Sequence, residues 1–129
     1  MKKNYIPIHR VIEGIIALLG DKAEFTVDDE KIQESFFKLS NKSKYKELLA
    51  GLKFSENTIY HKSLILESIF DNLSIARLIT TKNPDLEKYQ VTSNLHDIYV
   101  NKSDELFEEK KSTIEEASDE FRELVEADC

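Results

Sequence analysis

The sequence predicts a mainly α-helical fold with a small β-hairpin, and three observations point to this class. Apolar residues recur at spacings of three and four along much of the chain, as they do in helices that bury one side. The 129 residues include only three Gly and two Pro, too few for the turns of an all-β fold. Two β-prone runs flank the turn signal Asn83-Pro84-Asp85. With 40% hydrophobic residues, the chain is expected to fold around one modest core.

The first predicted helix covers residues 7–19 and is followed by a short strand. Pro7 suits a first helical turn, and Gly20 suits the position after the last one. Glu24 to Val27 is short and β-prone, so a strand is expected there. The apolar side of the helix comprises Ile8, Val11, Ile12, Ile15, Ile16 and Leu19.

Two further helices are predicted before residue 52. We expect Thr26 to cap the second helix, because acidic residues 28–30 then lie in its first turn, and we expect this helix to run to about Leu39. After a polar break, Ser43 is expected to cap a short third helix that continues through Leu49 and is closed by Gly51.

The fourth predicted helix runs from near Tyr60 to about Ser74 and leads into the hairpin. The hairpin extends from Leu78 to Val91, and its connecting loop is longer than a two-residue turn. The apolar side of the helix is expected to comprise Leu64, Ile65, Ile69, Leu73 and Ala76.

A strongly helical segment without Gly or Pro follows from about Ser103 to Ala127. Four apolar residues lie seven positions apart and form part of a coiled-coil seam. This seam either pairs with a partner or a second copy of the chain, or folds back on its own domain. We therefore divide the chain into a compact domain, residues 1–98, and an acidic amphipathic helix, residues 99–129. The candidate seam residues are Val100, Phe107, Ile114, Phe121 and Leu124.

The order of these elements resembles the winged-helix variant of the helix-turn-helix domain. In this resemblance Glu24 to Val27 is the first strand, the helix from Tyr60 lies in the recognition position, and the hairpin from Leu78 to Val91 is the wing. The terminal helix is similar to that of PadR-type regulators, in which the last helix builds a dimer. The resemblance covers roughly residues 7–92 and implies a domain that binds DNA or a protein, since winged helices do both.

Charge is distributed unevenly along the chain. Residues 1–100 contain 14 basic and 14 acidic residues, whereas residues 101–129 contain 4 basic and 11 acidic ones, so the whole net charge of −7 lies in the C-terminal part. A cluster of lysines in the first part is either a solvated face or a patch that contacts phosphates. The possible nucleic-acid contacts are Lys38, Lys42, Lys44, Lys46, Lys53 and Lys62.

The helix in the recognition position is poorly suited to DNA. Glu67 and Asp71 lie four residues apart and share a helix face, which would bring two carboxylates towards phosphates. In the wing, the positive charges of Lys82 and Lys88 are cancelled by two acidic residues. DNA-contacting faces are usually basic, so these features favour a protein partner.

The sequence offers no convincing catalytic or cofactor site. His9 and Glu13 lie four residues apart on the first helix, but no further ligand has metal-site spacing, so no metal is expected. The Gly-x-Ser-x-Gly motif of serine hydrolases does not occur, and the lone cysteine is Cys129, the last residue. We expect neither enzymatic activity nor a cofactor.

The expected function is that of a non-catalytic protein-interaction module or accessory subunit, acting with a protein partner or as a homodimer. The alternative is a dimeric DNA-binding transcriptional regulator. No apolar stretch approaches the roughly 18 residues of a membrane span, and the N-terminal residues lack a convincing signal-peptide pattern. We therefore expect a cytoplasmic protein without a membrane partner.

Overall fold

The computed structural model describes residues 7–55, 61–81, 88–107 and 110–126, with side chains described except at 102–107 and 126. Within these ranges the chain is mainly helical with one small antiparallel sheet, as predicted. The elements are α1 (Ile8–Ala17), β1 (Glu24–Thr26), α2 (Asp29–Ser40), α3 (Ser43–Lys46), α4 (Leu64–Ile75), β2 (Ile79–Thr81), β3 (Lys88–Val91), α5 (Ser93–Phe107) and α6 (Lys111–Glu126).

The sheet has three antiparallel strands in the order β1–β3–β2, so β3 is central. β2 and β3 form the predicted ribbon, with Ile79 opposite Val91. The loop that joins them, including Asn83-Pro84-Asp85, lies outside the described residues. β1 pairs with the other edge of β3, with Phe25 opposite Tyr89. The predicted hairpin and the predicted strand at 24–27 are confirmed.

The core lies between α1, α2, α4, the sheet and the two C-terminal helices. α1 is amphipathic, and its inward residues Val11, Ile12, Ile15 and Ile16 are fully buried. α4, α5 and α6 all pack against it. Removing each of these branched side chains from water stabilises the fold by about 1.5–3 kcal/mol, which explains why α1 is surrounded on several sides.

Three helix starts differ from their predicted positions because other residues occupy the cap positions. The Asp28 carboxylate accepts from the Glu30 N–H at 3.0 Å and caps α2, while Thr26 Oγ1 accepts from the Asp28 N–H in the preceding turn. The prediction that Thr26 caps this helix is therefore wrong. Ser43 lies inside α3, not at its cap, and α4 begins after Ser63. Tyr60, its predicted start, lies outside the described residues.

Gly51 lies where two segments of the chain pack closely against each other. α3 ends at Lys46, well before Gly51, so Gly51 does not close that helix as predicted. A Cβ at this position would lie 2.9 Å from the Cβ of Ile8, which is closer than real Cβ atoms come to another carbon. The lack of a side chain therefore allows the segment after α3 to pack on the start of α1.

The C-terminal part forms two helices instead of one. Thr92 caps α5 directly after β3, because its Oγ1 accepts from the Leu95 N–H at 3.3 Å. α5 ends at Phe107, and α6 then packs across α1 and α2. The predicted boundary between residues 98 and 99 consequently lies inside α5. Because α6 is separate from α5, its apolar side can pack on α1 and α2.

Candidate interaction surface

A pair of buried hydrogen bonds positions the start of α4 on α2. The Gln33 side-chain amide donates to the Ser63 carbonyl at 3.2 Å, and its oxygen accepts from the Ser63 N–H at 2.8 Å. Ser63 Oγ in turn accepts from the Leu66 N–H at 3.2 Å and caps the helix. Both Gln33 and Ser63 are almost completely buried, so loss of either partner would leave polar groups without water or protein contacts.

The end of α4 is closed by backbone hydrogen bonds around Arg77. The Leu78 N–H donates to the Leu73 carbonyl at 2.9 Å, and the Arg77 N–H donates to the Ser74 carbonyl at 3.0 Å. This is the Schellman arrangement, which needs a left-handed residue after the helix. Arg77 takes that conformation, with φ of 63°. The chain thereby leaves α4 and enters β2 directly.

The outward side of α4 is apolar at both ends and acidic between them. Leu64 and Ile75 expose 73% and 79% of their surface. They share one side of the helix with Ser68 and Asp71, which are spaced between them by three and four residues. No Lys, Arg or His occurs from Leu64 to Ile75. The solvent-facing side of this helix therefore carries hydrophobic and negative groups without a cation.

The predicted apolar side of this helix is only partly correct. Ile69 and Leu73 are buried as expected, but Leu64, Ile65 and Ala76 are exposed. The inward side consists instead of Leu66, Ile69, Phe70 and Leu73. Because the first three residues of α4 are all apolar, their spacing was compatible with either set as the buried side. Packing of α4 against α1 and the sheet buries the set that contains Leu66 and Phe70.

A groove of about 320 Å³ lies between α2, α4 and β3 beside this outward side. Its buried lining consists of the apolar side chains of Ile32, Leu66 and Phe70 and of the amide of Gln33. Its polar lining includes three carboxylates, one ammonium group and one phenol, from Asp29, Glu67, Asp71, Lys62 and Tyr89. The groove therefore combines a hydrophobic interior with an excess of negative charge.

Lys62 partly neutralises the carboxylates of the groove. Its Nζ lies 3.7 Å from Asp29 Oδ2 and 3.6 Å from Glu67 Oε2. Asp71 forms no ion pair with any residue in the described part of the chain. Burial raises the pKa of Tyr89, and the negative charges of Asp71 and Asp29 raise it further. The groove is thus negative enough to disfavour ionisation of a neighbouring phenol.

His61 connects the segment before α4 to α2. Its ring stacks on Phe37 with a centroid distance of 3.7 Å, and its backbone N–H donates to Glu34 Oε2 at 2.9 Å. Its Nδ1 lies 3.0 Å from the same oxygen. Burial raises the pKa of Glu34, but the bonds from His61 outweigh this effect and leave the pKa below the ordinary value of 4.5. His61 therefore attaches the start of this segment to α2 through a ring contact and hydrogen bonds.

The predicted lysine cluster is covered in part by α6. Lys42 Nζ donates to Glu120 at 2.6 Å, and Lys44 Nζ lies 3.4 Å from both Glu116 and Glu120. The hydroxyl of the buried Tyr45 donates to Glu120 at 2.7 Å. These contacts occupy Lys42 and Lys44, two of the six lysines that the sequence offered to phosphate. Three others are exposed and form no ion pair within the described ranges: Lys38, Lys46 and Lys53.

The candidate seam residues are not brought together on a free surface. Ile114 and Phe121 are fully buried, and the Phe121 ring lies 4.7 Å from that of Phe36. Leu124 is partly buried against the same core, whereas Val100 is 48% exposed on α5. The side chain of Phe107 lies outside the described residues. The assignment of Ile114 and Phe121 to a partner seam is thereby corrected, because α6 folds back. A partner contact through Val100 stays a prediction.

Comparison of the chain with protein-family models, with curated proteins and with solved structures finds no match. Among the described residues, no three His, Cys, Asp or Glu side chains are grouped so that they could hold a metal ion. Glu13, the partner suggested for His9, instead accepts from the Tyr99 hydroxyl at 2.6 Å. None of the helices in the described ranges is both long and apolar enough to cross a membrane.

Proposed function

We propose that the chain is a non-catalytic protein-interaction module, or an accessory subunit of a larger assembly, that docks a protein partner on the outward side of α4. The observation that carries this proposal is the exposure of Leu64, Ile65 and Ile75 on a helix whose remaining outward residues are polar or acidic. Large apolar side chains at a helix surface lower the free energy of binding when a partner covers them. A cytoplasmic location is part of the same proposal.

The arrangement of the elements supports the winged-helix resemblance as part of this proposal. The order α1, β1, α2, α3, α4, β2, β3 is the order expected for such a domain with the short helix α3 added, and β3 pairs with both other strands. In this interpretation α4 occupies the recognition position. A winged helix that binds protein through that position needs an apolar surface there, in contrast to the basic surface that DNA requires.

Recovery of a stoichiometric partner from native cells tests the proposal. The chain is compared with the double variant Leu64→Ser/Ile75→Ser and with the control Ile98→Ser, which alters an exposed apolar residue on α5. We expect the double variant to keep its thermal unfolding transition and to bind the partner at least tenfold more weakly. A tenfold loss corresponds to about 1.4 kcal/mol of binding free energy, less than the burial of two large apolar side chains contributes. The control should retain the partner. Equal recovery by all three proteins, or no partner for the natural chain, contradicts the proposal.

DNA binding is the second candidate, and the three exposed lysines 38, 46 and 53 favour it. Such binding would depend steeply on salt, and Lys46→Ala/Lys53→Ala would weaken it on every sequence. Fluorescence anisotropy with duplex DNA at about 50 mM salt checks this, and absence of binding under that condition removes the candidate. The carboxylates of Glu67 and Asp71 oppose it, because the winged-helix resemblance would bring α4 to the DNA, where carboxylates repel phosphates.

A further inference from the structure

We propose that the partner segment docked on α4 is basic and amphipathic, and that one of its Lys or Arg side chains enters the groove between α2, α4 and β3. This inference rests on the function proposed above and specifies the chemistry of the partner. It depends on three properties of the surface: its apolar ends, the composition of the groove and the balance of charge around it.

The apolar ends determine the length of the partner segment. Leu64 and Ile75 are the first and last residues of α4 and are separated by about 16 Å along the helix axis at 1.5 Å per residue. A partner helix of about three turns, or a shorter extended segment, can contact both ends at once. Such a segment needs apolar side chains at its two ends and polar side chains opposite Ser68 and Asp71.

The groove suits a long side chain with a positive end. Val27, Phe70 and the ring of Tyr89 provide an apolar surface for the methylene groups of a Lys or Arg. Asp29, Glu67 and Asp71 provide oxygen acceptors for its charged group. Lys62 already places one ammonium group 3.6 and 3.7 Å from two of these carboxylates. Because these side chains are partly exposed, ion pairs of this kind contribute little free energy.

The charge balance distinguishes a basic partner from the other occupants. Three carboxylates and one ammonium line the groove, so one additional cation lowers the repulsion among them, and an additional anion increases it. A second copy of the chain would present Glu67 and Asp71 to the same residues of the first copy. Duplex DNA would present phosphates to them. Both occupants are disfavoured by like charge, whereas a basic protein segment is complementary.

Two synthetic peptides provide the test with the full-length chain. Both have the same length and the same apolar residues eleven positions apart, and they carry four central Arg in one case and four central Glu in the other. In ¹⁵N NMR titrations we expect the Arg peptide to shift the amide signals of α4 and Asp29 saturably, and the Glu peptide to leave them unchanged. Glu67→Gln/Asp71→Asn should weaken the Arg peptide at least fivefold.

The matched control is Glu47→Gln/Asp119→Asn, which removes the same charge from exposed positions at the end of α3 and on α6. We expect it to bind the Arg peptide within twofold of the natural chain. Equal binding by both double variants, shifts centred outside α4, or binding of the Glu peptide to α4 overturns the inference. Concentration-dependent shifts of α4 without peptide also overturn it and identify a second copy as the occupant.

The experiment separates this inference from the proposed function. If the Arg peptide fails while Leu64→Ser/Ile75→Ser still loses its cellular partner, the docking surface stands and its basic partner chemistry is wrong. If the Leu64→Ser/Ile75→Ser variant keeps its partner, the proposed function fails whatever the peptides do.

Discussion

At the scale of single residues, Arg77 illustrates how one backbone conformation shapes the candidate surface. Its left-handed φ of 63° ends α4 and turns the chain into β2 within three residues. A residue with a Cβ pays about 1–2 kcal/mol for that conformation. The Arg77 side chain is exposed and forms no ion pair within the described part of the chain. The backbone bonds of the helix end, and not a side-chain contact, therefore keep Arg77 in place.

We predict that Arg77→Gly stabilises the fold. Relief of the left-handed strain, about 1–2 kcal/mol, exceeds the entropy that Gly adds to the unfolded chain, about 0.5–1 kcal/mol. The free energy of unfolding in urea should rise by about 0.5–1 kcal/mol as the difference of the two. Arg77→Ala is the control, because it removes the charge and keeps the Cβ. Equal stabilisation by both variants would show that charge, and not φ, is responsible.

At the scale of secondary-structure elements, Glu120 joins α6 to Lys42, just before α3, and to Lys44 within it. The hydrogen bond from Lys42 and that from Tyr45 hold the pKa of Glu120 below its ordinary value of 4.5, against the opposing effect of burial. A carboxyl group whose pKa is lowered by folding stabilises the native state above its unfolded pKa. That contribution is lost as the pH falls through the lower, folded pKa. The attachment of α6 should therefore weaken in acid.

We predict that Glu120→Gln lowers the free energy of unfolding by about 1–2 kcal/mol at pH 7, because charge-assisted hydrogen bonds become neutral ones. The difference from the natural chain should shrink below pH 4.5 and vanish once Glu120 is protonated. Urea unfolding across pH 3–7 provides the measurement. Glu47→Gln, at an exposed position with no ion pair in the described ranges, should show no such pH dependence. A constant difference at all pH values would contradict the role assigned to Glu120.

At the scale of the whole molecule, α6 completes the core and supplies the acidic charge that covers Lys42 and Lys44. Ser118 Oγ donates to the Ile15 carbonyl at 2.8 Å in the buried interface with α1. The ring of Phe121 contacts the rings of Phe36 and Phe25. The acidic excess of the C-terminal part is thus directed in part at the chain's own lysines. The net charge of −7 therefore does not reveal that carboxylates of α6 form ion pairs with lysines of the same chain.

We predict that Phe121→Ala destabilises the chain by about 3–5 kcal/mol, as for other buried aromatic truncations. This is a large share of the roughly 5–15 kcal/mol that stabilises a domain. Val100→Ala, at another predicted seam position that is exposed, should change stability by no more than about 0.5 kcal/mol. Thermal unfolding with light scattering distinguishes the two arrangements of the seam. If Phe121→Ala kept the unfolding temperature of the natural chain but converted an oligomer into a monomer, Phe121 would lie in a contact between chains instead.

Short-range patterns in the sequence predict much of the fold, but they predict less of which residues meet on the candidate surface. Apolar spacing located α1 and α2, and β propensity around a turn signal located the hairpin. The acidic pair Glu67 and Asp71 was also visible from its spacing. The groove was not, because Asp29, Gln33 and Tyr89 come from other elements. Asp29, in the first turn of α2, was the only sequence signal for the groove. An acidic residue at that position is already explained by its favourable interaction with the start of the helix.

The sequence by itself determined the helical class, the ribbon and the uneven distribution of charge. These depend on caps, turns and spacings that act within a few residues. Only the tertiary structure decided which side of α4 faces outwards, that Ile114 and Phe121 are inside, and that Lys42 meets Glu120, 78 residues away. The apolar or charged side of a helix can pack against any complementary surface, whether of the same chain or of a partner. The choice among those surfaces is made by the packing of the whole chain, which no local pattern records.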